Sequence, residues 1–333
     1  MSDLNYLCIF FILVLLSTSS LPLLVSSAKC NKDDKKTLLK LKIGFGNPQD
    51  LSWNSDTSCC SWNGIICLSD TGRVIFLDIS SANLSGTISP AIGDLPLVTQ
   101  INIQYSPFLT GTIPHSITKL PLTSLTIRFT SLSGHIPTFL GELRKLNTLD
   151  LSGNRLTGHI PDSIASLPNL DRLILSNNKL TGRIPQSLFH GLTARNLLDL
   201  SDNLLTGDIP DSLGNADLSY IFLSGNNFSG DPSFIFGESK NLTQIDLSRN
   251  KFVMNLSTVG FPSYLAMLGL GQNLIYGSIP GSIASLEHLN TLNVSYNRLS
   301  GKIPTGGMMS LFDASCYSHN KCLCGNPLPK CRT

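Results

Sequence analysis

The feature that most restricts how this chain can fold is a self-similar unit returning about every 24 residues. Its clearest copy is Leu149-Asp-Leu-Ser-Gly-Asn154-Arg-Leu-Thr-Gly-His-Ile-Pro161. Superimposing the copies puts Leu77, Ile101, Leu125, Leu149, Leu173, Leu198, Ile221, Ile245, Leu268 and Leu292 at one position. Ten units therefore occupy residues 74–305. Each unit predicts a short strand in which Leu149 and Leu151 point inward while Thr148, Asp150 and Ser152 point out. A single unit cannot bury its own apolar face, so units must stack, and stacked strands make one parallel sheet. Ten strands spaced ~4.8 Å apart give a sheet roughly 45 Å long. The expected fold is an α/β repeat solenoid with that sheet on its inner side.

An asparagine follows each strand at Asn154, Asn178, Asn203, Asn226, Asn250, Asn273 and Asn297. Its amide can satisfy turn backbone groups that would otherwise be buried without partners. Ala82, Ser106 and Thr130 replace it in the first three units, so the ladder is expected to be incomplete at that end. Glycine bends the chain next, as at Gly158. Ile-Pro then suits an extended outer segment, because proline fixes φ and donates no hydrogen bond.

A solenoid has two open ends that must be covered. Residues 29–73 read as an N-terminal cysteine-rich cap. A helix is expected over Asp33–Phe45, with Leu38, Leu39, Leu41 and Ile43 as its apolar stripe, and Trp53 and Trp62 are placed to cover the first unit. Residues 306–333 read as the C-terminal cysteine-rich cap. Residues 1–28 combine the apolar run Tyr6 to Leu16 with small Ser26-Ser27-Ala28, the pattern of a cleaved secretory signal. No later run is long enough to span a bilayer, which needs ~20 apolar residues, so no transmembrane anchor is expected and the product is read as secreted. Beyond Cys8, the cysteines form two groups of four: Cys30, Cys59, Cys60, Cys67 and Cys316, Cys322, Cys324, Cys331. In a secreted chain such groups read as disulfides rather than zinc ligands, and neither contains a CxxC knuckle. Each group admits three pairings. Adjacent Cys59 and Cys60 would bond each other only with strain, and Cys30–Cys59, Cys60–Cys67, Cys316–Cys322 and Cys324–Cys331 are favoured. Glycosylation sequons begin at Asn83, Asn227, Asn241, Asn255 and Asn293.

The two caps and the repeat together resemble the plant polygalacturonase-inhibiting proteins over the whole mature chain. The cap run Asp33-Asp-Lys-Lys-Thr-Leu-Leu with Ser52-Trp-Asn and Cys59-Cys60-Ser-Trp carries one half of the likeness. Asn320-Lys-Cys-Leu-Cys-Gly-Asn-Pro-Leu-Pro-Lys-Cys331 carries the other, with ten LxGxIP-type units between them. The resemblance implies a right-handed leucine-rich-repeat superhelix, a second smaller sheet and 3-10 turns outside. It implies an extracellular, cell-wall inhibitor of fungal polygalacturonases that makes contact through acidic residues of its concave strands. Two departures stand out. Ser300 occupies a position where family members carry cysteine, and the acidic column is partial, with Ser176 and Phe222 where acidic residues can occur.

Along the concave face the central outward column reads Asp78, Asn102, Thr126, Asp150, Ile174, Asp199, Phe222, Asp246, Gly269, Asn293. Structure requires nothing apolar there or in the column before it (Phe76, Gln100, Ser124, Thr148, Arg172, Leu197, Tyr220, Gln244, Met267, Thr291), so Ile174, Leu197, Tyr220 and Phe222 are informative, since exposed aromatic residues often anchor interfaces. The expected partner-binding residues are Asp150, Arg172, Ile174, Asp199, Tyr220, Phe222, Gln244 and Asp246. The serine column Ser152, Ser176, Ser201, Ser224 and Ser248 reads as structural. Asp199 is expected to lie too near solvent for a raised pKa. The partner class is protein, a fungal polygalacturonase, with pectin as a second ligand. The alternative is an extracellular receptor-type or adaptor module that binds a peptide or a receptor ectodomain. Ice binding wants a flat, repetitive Thr or Asn array, and these columns mix Phe, Ile, Asp and Arg. A formal net charge of +2 is too weak to point to nucleic acid or an anionic membrane. No catalytic motif, cofactor or metal site is expected: the six histidines, among them His159 and His190, read as loop residues, and no GxSxG, HExxH or phosphate loop occurs.

Overall fold

The computed structural model describes residues 29–80, 82–189 and 196–331. The expected signal sequence at 1–28, His190 and the last two residues of the C-terminal cap lie outside the described residues. The inner face is one sheet of eleven strands in chain order. These are β1 (Ile65–Cys67), β2 (Val74–Ile79), β3 (Gln100–Ser106), β4 (Ser124–Thr130), β5 (Thr148–Asp150), β6 (Arg172–Ile174), β7 (Leu197–Asp199), β8 (Tyr220–Phe222), β9 (Gln244–Asp246), β10 (Met267–Gly269) and β11 (Thr291–Asn293). β2 to β11 run parallel in strict register, so that Leu149, Leu173, Leu198 and Ile221 are direct neighbours. β1 belongs to the cap and pairs antiparallel with β2. A second, five-stranded parallel sheet lies on the outer side, from Ser133–His135 through Arg155–Gly158, Lys179–Gly182 and Leu204–Asp208 to Asn227–Ser229. Short 3-10 turns such as Asp162–Ser166 and Gly281–Ser285 close each coil, so the repeats among the described residues use no α-helix.

The strands end where they do for a local reason. The Asp150 Oδ1 accepts hydrogen bonds from the Ser152 N–H (3.0 Å) and Oγ (2.6 Å). Asp199 and Asn293 capture Ser201 and Ser295 in the same way, and Asp246 takes the Ser248 N–H. The serine column is thus structural. The asparagine then locks the turn: Asn178 Nδ2 donates to the carbonyls of Leu151 (2.9 Å), Leu175 (3.1 Å) and Ser176 (3.2 Å), while its Oδ1 accepts the Leu156 N–H (3.0 Å). Asn203, Asn226, Asn250, Asn273 and Asn297 repeat this set. Asn320 continues it into the C-terminal cap by accepting the Leu299 N–H. That cap is therefore a further partial coil, with Tyr317 fully buried in its core.

At the other end, Asn31 caps helix α1 (Lys32–Gly44) by accepting the Asp33 and Asp34 N–H groups. Asp34 is fully buried, paired to Arg73 at 2.6 Å and accepting the Val74 N–H at 2.8 Å, which ties the helix to the first repeat. Thr37, Leu38 and Leu41 face the core, whereas Ile43, expected in the stripe, is 71% exposed. Trp53 and Trp62 are buried with their rings stacked 5.7 Å apart.

The disulfides Cys30–Cys59, Cys60–Cys67 and Cys324–Cys331 form as expected. The bridge expected between Cys316 and Cys322 does not form. The reason is topological. Cys316 is buried in the turn Ala314–Cys316 beside β11, where its carbonyl accepts the Val294 N–H. Cys322 starts the strand Cys322–Cys324 on the outer side, directly opposite Ser300.

Candidate protein-binding face

Folding gathers the eight expected contact residues onto five adjacent strands, β5 to β9, in two rows. The register sets Asp150, Ile174, Asp199, Phe222 and Asp246 side by side. The neighbouring row runs Thr148, Arg172, Leu197, Tyr220, Gln244. Carboxylates thus alternate with apolar side chains across a span of roughly 19 Å at strand spacing. Arg172 is exposed, and Ile174, Leu197, Asp199, Tyr220, Phe222, Gln244 and Asp246 are half-buried. Asp150 is buried, because its carboxylate is used by Ser152 on one oxygen and faces Arg128 at 3.7 Å on the other.

Asp199 departs from expectation. Burial between Ile174 and Phe222 pushes its carboxyl above the ordinary value; hydrogen bonds from Ser201 and Ser176 oppose that, and the charge on Asp150 adds to it. The sequence placed it near solvent, but the strand neighbours on each side shield it.

The sequence reading missed two exposed aromatics at the N-terminal end of the concave face. β3 and β4 run on for seven residues, in register from Gln100↔Ser124 to Ser106↔Thr130. At their ends Tyr105 is 60% exposed and Phe129 41% exposed. The two rings stack 5.1 Å apart and 4° from parallel, and the Arg128 guanidinium lies 5.9 and 5.7 Å from their centres. The later repeats hold Gly153, Asn177, Asp202, Gly225, Arg249, Gln272 and Tyr296 at the same position.

Of the sequons, Asn83 and Asn241 are exposed, while Asn227 is half-buried. Asn255 caps a 3-10 turn, and Asn293 is engaged with Ser295 in the concave sheet. Cys30, Cys59 and Cys60 are the one cluster with metal-ligand spacing among the described residues, and all three sulfurs are held in disulfides. No described helix is long and apolar enough to cross a membrane.

The chain matches a family model described as leucine rich repeat N-terminal domain over residues 31–68, and models described as leucine rich repeat over 120–180, 196–216 and 288–307. With the continuous inner sheet, these define a leucine-rich-repeat protein capped at its N-terminal end. It is 46% identical over 330 residues to polygalacturonase inhibitor 1 of Arabidopsis thaliana, covering 98% of both chains. It is 47% identical over 305 residues to the polygalacturonase inhibitor of Pyrus communis, covering 91% of this chain and 92% of that one. A solved plant ice-binding protein has the same fold, with a TM-score of 0.88 and 43% identity over 92% of this chain and 99% of the other. The chain belongs to the plant polygalacturonase inhibitor family.

Proposed function

We propose that this protein is secreted to the plant cell wall and there binds and inhibits fungal polygalacturonases through its concave face, without catalysis of its own. The observation that carries this reading is near-full-length similarity to curated proteins named polygalacturonase inhibitors. The alternation of carboxylate and apolar side chains on β5 to β9 supports it, since such rows suit a protein surface that combines basic and apolar groups. The half-buried aromatic residues Tyr220 and Phe222 are its anchors, flanked by Arg172, Ile174, Asp199, Gln244 and Asp246, with Asp150 holding the row in place. Disulfides at both ends and exposed Asn83 and Asn241 fit an oxidising, glycosylating route of export. The test is reducing-end release from polygalacturonate by a panel of purified fungal polygalacturonases. Wild-type protein is expected to slow at least one of them, and Phe222→Ala to weaken that effect about tenfold or more. Absence of inhibition across the panel would transfer the assignment to an adaptor that binds a peptide or receptor ectodomain.

A second reading, ice binding, is favoured by a hydroxyl residue repeated along the outer sheet. Ser133, Thr157, Thr181, Thr206 and Ser229 recur there once per coil, and Thr157 and Thr206 turn their hydroxyls back to the carbonyls of Gly134 and Gly182 at 3.3 Å. Exposed Arg155, His159, Lys179 and Arg183 interrupt that array, which places this reading second. Thermal hysteresis at millimolar protein decides it.

A further inference from the structure

We infer that the Tyr105–Phe129 stack, with Arg128, is a second anchor for the same protein partner, at the N-terminal end of the concave face; this rests on the inhibitor reading. The rings occupy a backbone conformation that their residue types avoid. Tyr105 has φ 54° and Phe129 φ 52°, in the left-handed region where β-carbon crowding disfavours bulky side chains. The equivalent Gly153, Asn177, Asp202, Gly225, Arg249, Gln272 and Tyr296 all take the same region, so positive φ belongs to this position of every repeat from Ile101 on. What sets Tyr105 and Phe129 apart at this position is that their rings stack on each other beside the Arg128 guanidinium.

The surrounding geometry presents the rings rather than burying them. The seven-residue β3 and β4 widen the sheet beneath them. Phe129 lies against Gly153, where an added β-carbon would fall 2.4 Å from its ring, so the stack rests on bare backbone. Arg128 is clamped alongside by Gln104 Oε1 at 2.6 Å. A rigid aromatic pair beside a fixed guanidinium is the composition typical of interface hot spots.

The occupant follows from continuity. Arg128 reaches Asp150, so the platform adjoins the row Asp150, Ile174, Asp199, Phe222, Asp246 with no break in the sheet. An interface of about 800 Å² per partner is roughly 30 Å across, and β3 to β9 span about that distance at strand spacing. A polygalacturonase centred near Ile174 therefore covers both anchors, setting its basic groups over Asp199 and Asp246 and an apolar or aromatic side chain on the Tyr105–Phe129 stack.

The experiment measures affinity of the full secreted chain for each purified polygalacturonase of the panel, with thermal melts in parallel. The double variant Tyr105→Gly/Phe129→Gly installs the residue that Gly153 and Gly225 already use, so it is expected to fold with an unchanged or higher midpoint. Its affinity is expected to fall at least tenfold, while Tyr264→Ala, an aromatic 67% exposed away from the strands, leaves affinity unchanged. Affinity within twofold of wild type for the double variant, with Phe222→Ala still weakening it, overturns the second anchor and leaves the inhibitor reading standing. Wild-type protein that binds no enzyme of the panel overturns both.

Discussion

Replacing Asn178 by alanine isolates the interaction that holds one coil to the next. Its amide serves the carbonyls of Leu151 and Leu175 and the N–H of Leu156, all in the buried turn. Ser176 also uses the amide, but its carbonyl has a second donor in the Gly153 N–H at 2.9 Å. The carbonyls of Leu151 and Leu175 also keep a second donor, in Asn154 Nδ2 at 2.9 Å and Asn203 Nδ2 at 3.0 Å, so the Leu156 N–H is the group left without its partner in Asn178→Ala. Leaving that one buried donor unsatisfied is expected to cost about 1–3 kcal/mol. That is a measurable fraction of the ~5–15 kcal/mol that holds a typical domain together. Asn178→Asp sharpens the test. It keeps the acceptor for Leu156 but turns a carboxylate oxygen toward three carbonyls, so it is expected to cost more than alanine at pH 7 and to recover as the carboxyl is protonated. Urea unfolding by circular dichroism gives both costs, and amide exchange at Leu156 reports the local bond, protected in Asn178→Asp and exposed in Asn178→Ala. A cost below about 1 kcal/mol for the alanine variant, or an aspartate variant no worse than it, would refute the claim that the amide ladder is what satisfies these turns.

Three more expectations follow from the same geometry. Asp199→Asn keeps the turn, since Asn293 makes it natively with Ser295, and removes a carboxyl whose raised pKa makes the native state bind more protons than the unfolded chain. Wild-type stability therefore falls as pH rises from the ordinary carboxylate value through the raised one; the variant lacks that slope and is at least as stable at pH 7, which urea midpoints from pH 3 to 8 will show. Ser300→Cys places a thiol opposite exposed Cys322, and the bridge closing that loop is expected to add about 3 kcal/mol and abolish alkylation of Cys322; persistent alkylation refutes the register argument. Gly182→Ala forces φ +80° on a residue whose new β-carbon would fall 2.0 Å from the His159 ring, costing about 1–2 kcal/mol or more, whereas Gly281→Ala meets nothing within 4 Å and leaves the melting midpoint unchanged or higher.

Much of the fold was legible because the period is itself a structural statement. The inward residues from Leu77 to Leu292, the asparagine ladder and the Cys60–Cys67 disulfide all follow from positions that repeat, or from short spacings that admit few geometries. The candidate face was legible as a set of columns but not as an environment. Asp150 and Asp199 look alike in sequence; register alone shows that one is paired to Arg128 and the other is enclosed by Ile174 and Phe222. Tyr105 and Phe129 escaped notice because they stand at a turn position, where glycine or a short polar residue is the expectation.

The sequence alone determined that this protein is a stack of coils with capped ends, because apolar side chains recurring about every 24 residues have no other way to leave water. The tertiary structure alone decided which side chains meet. Strand register carries residues some 24 positions apart to within one strand spacing, and it places Cys316 beside the inner sheet and Cys322 on the outer side. A coil repeat specifies its own shape, but the contacts between coils belong to no single repeat and exist only once they are stacked.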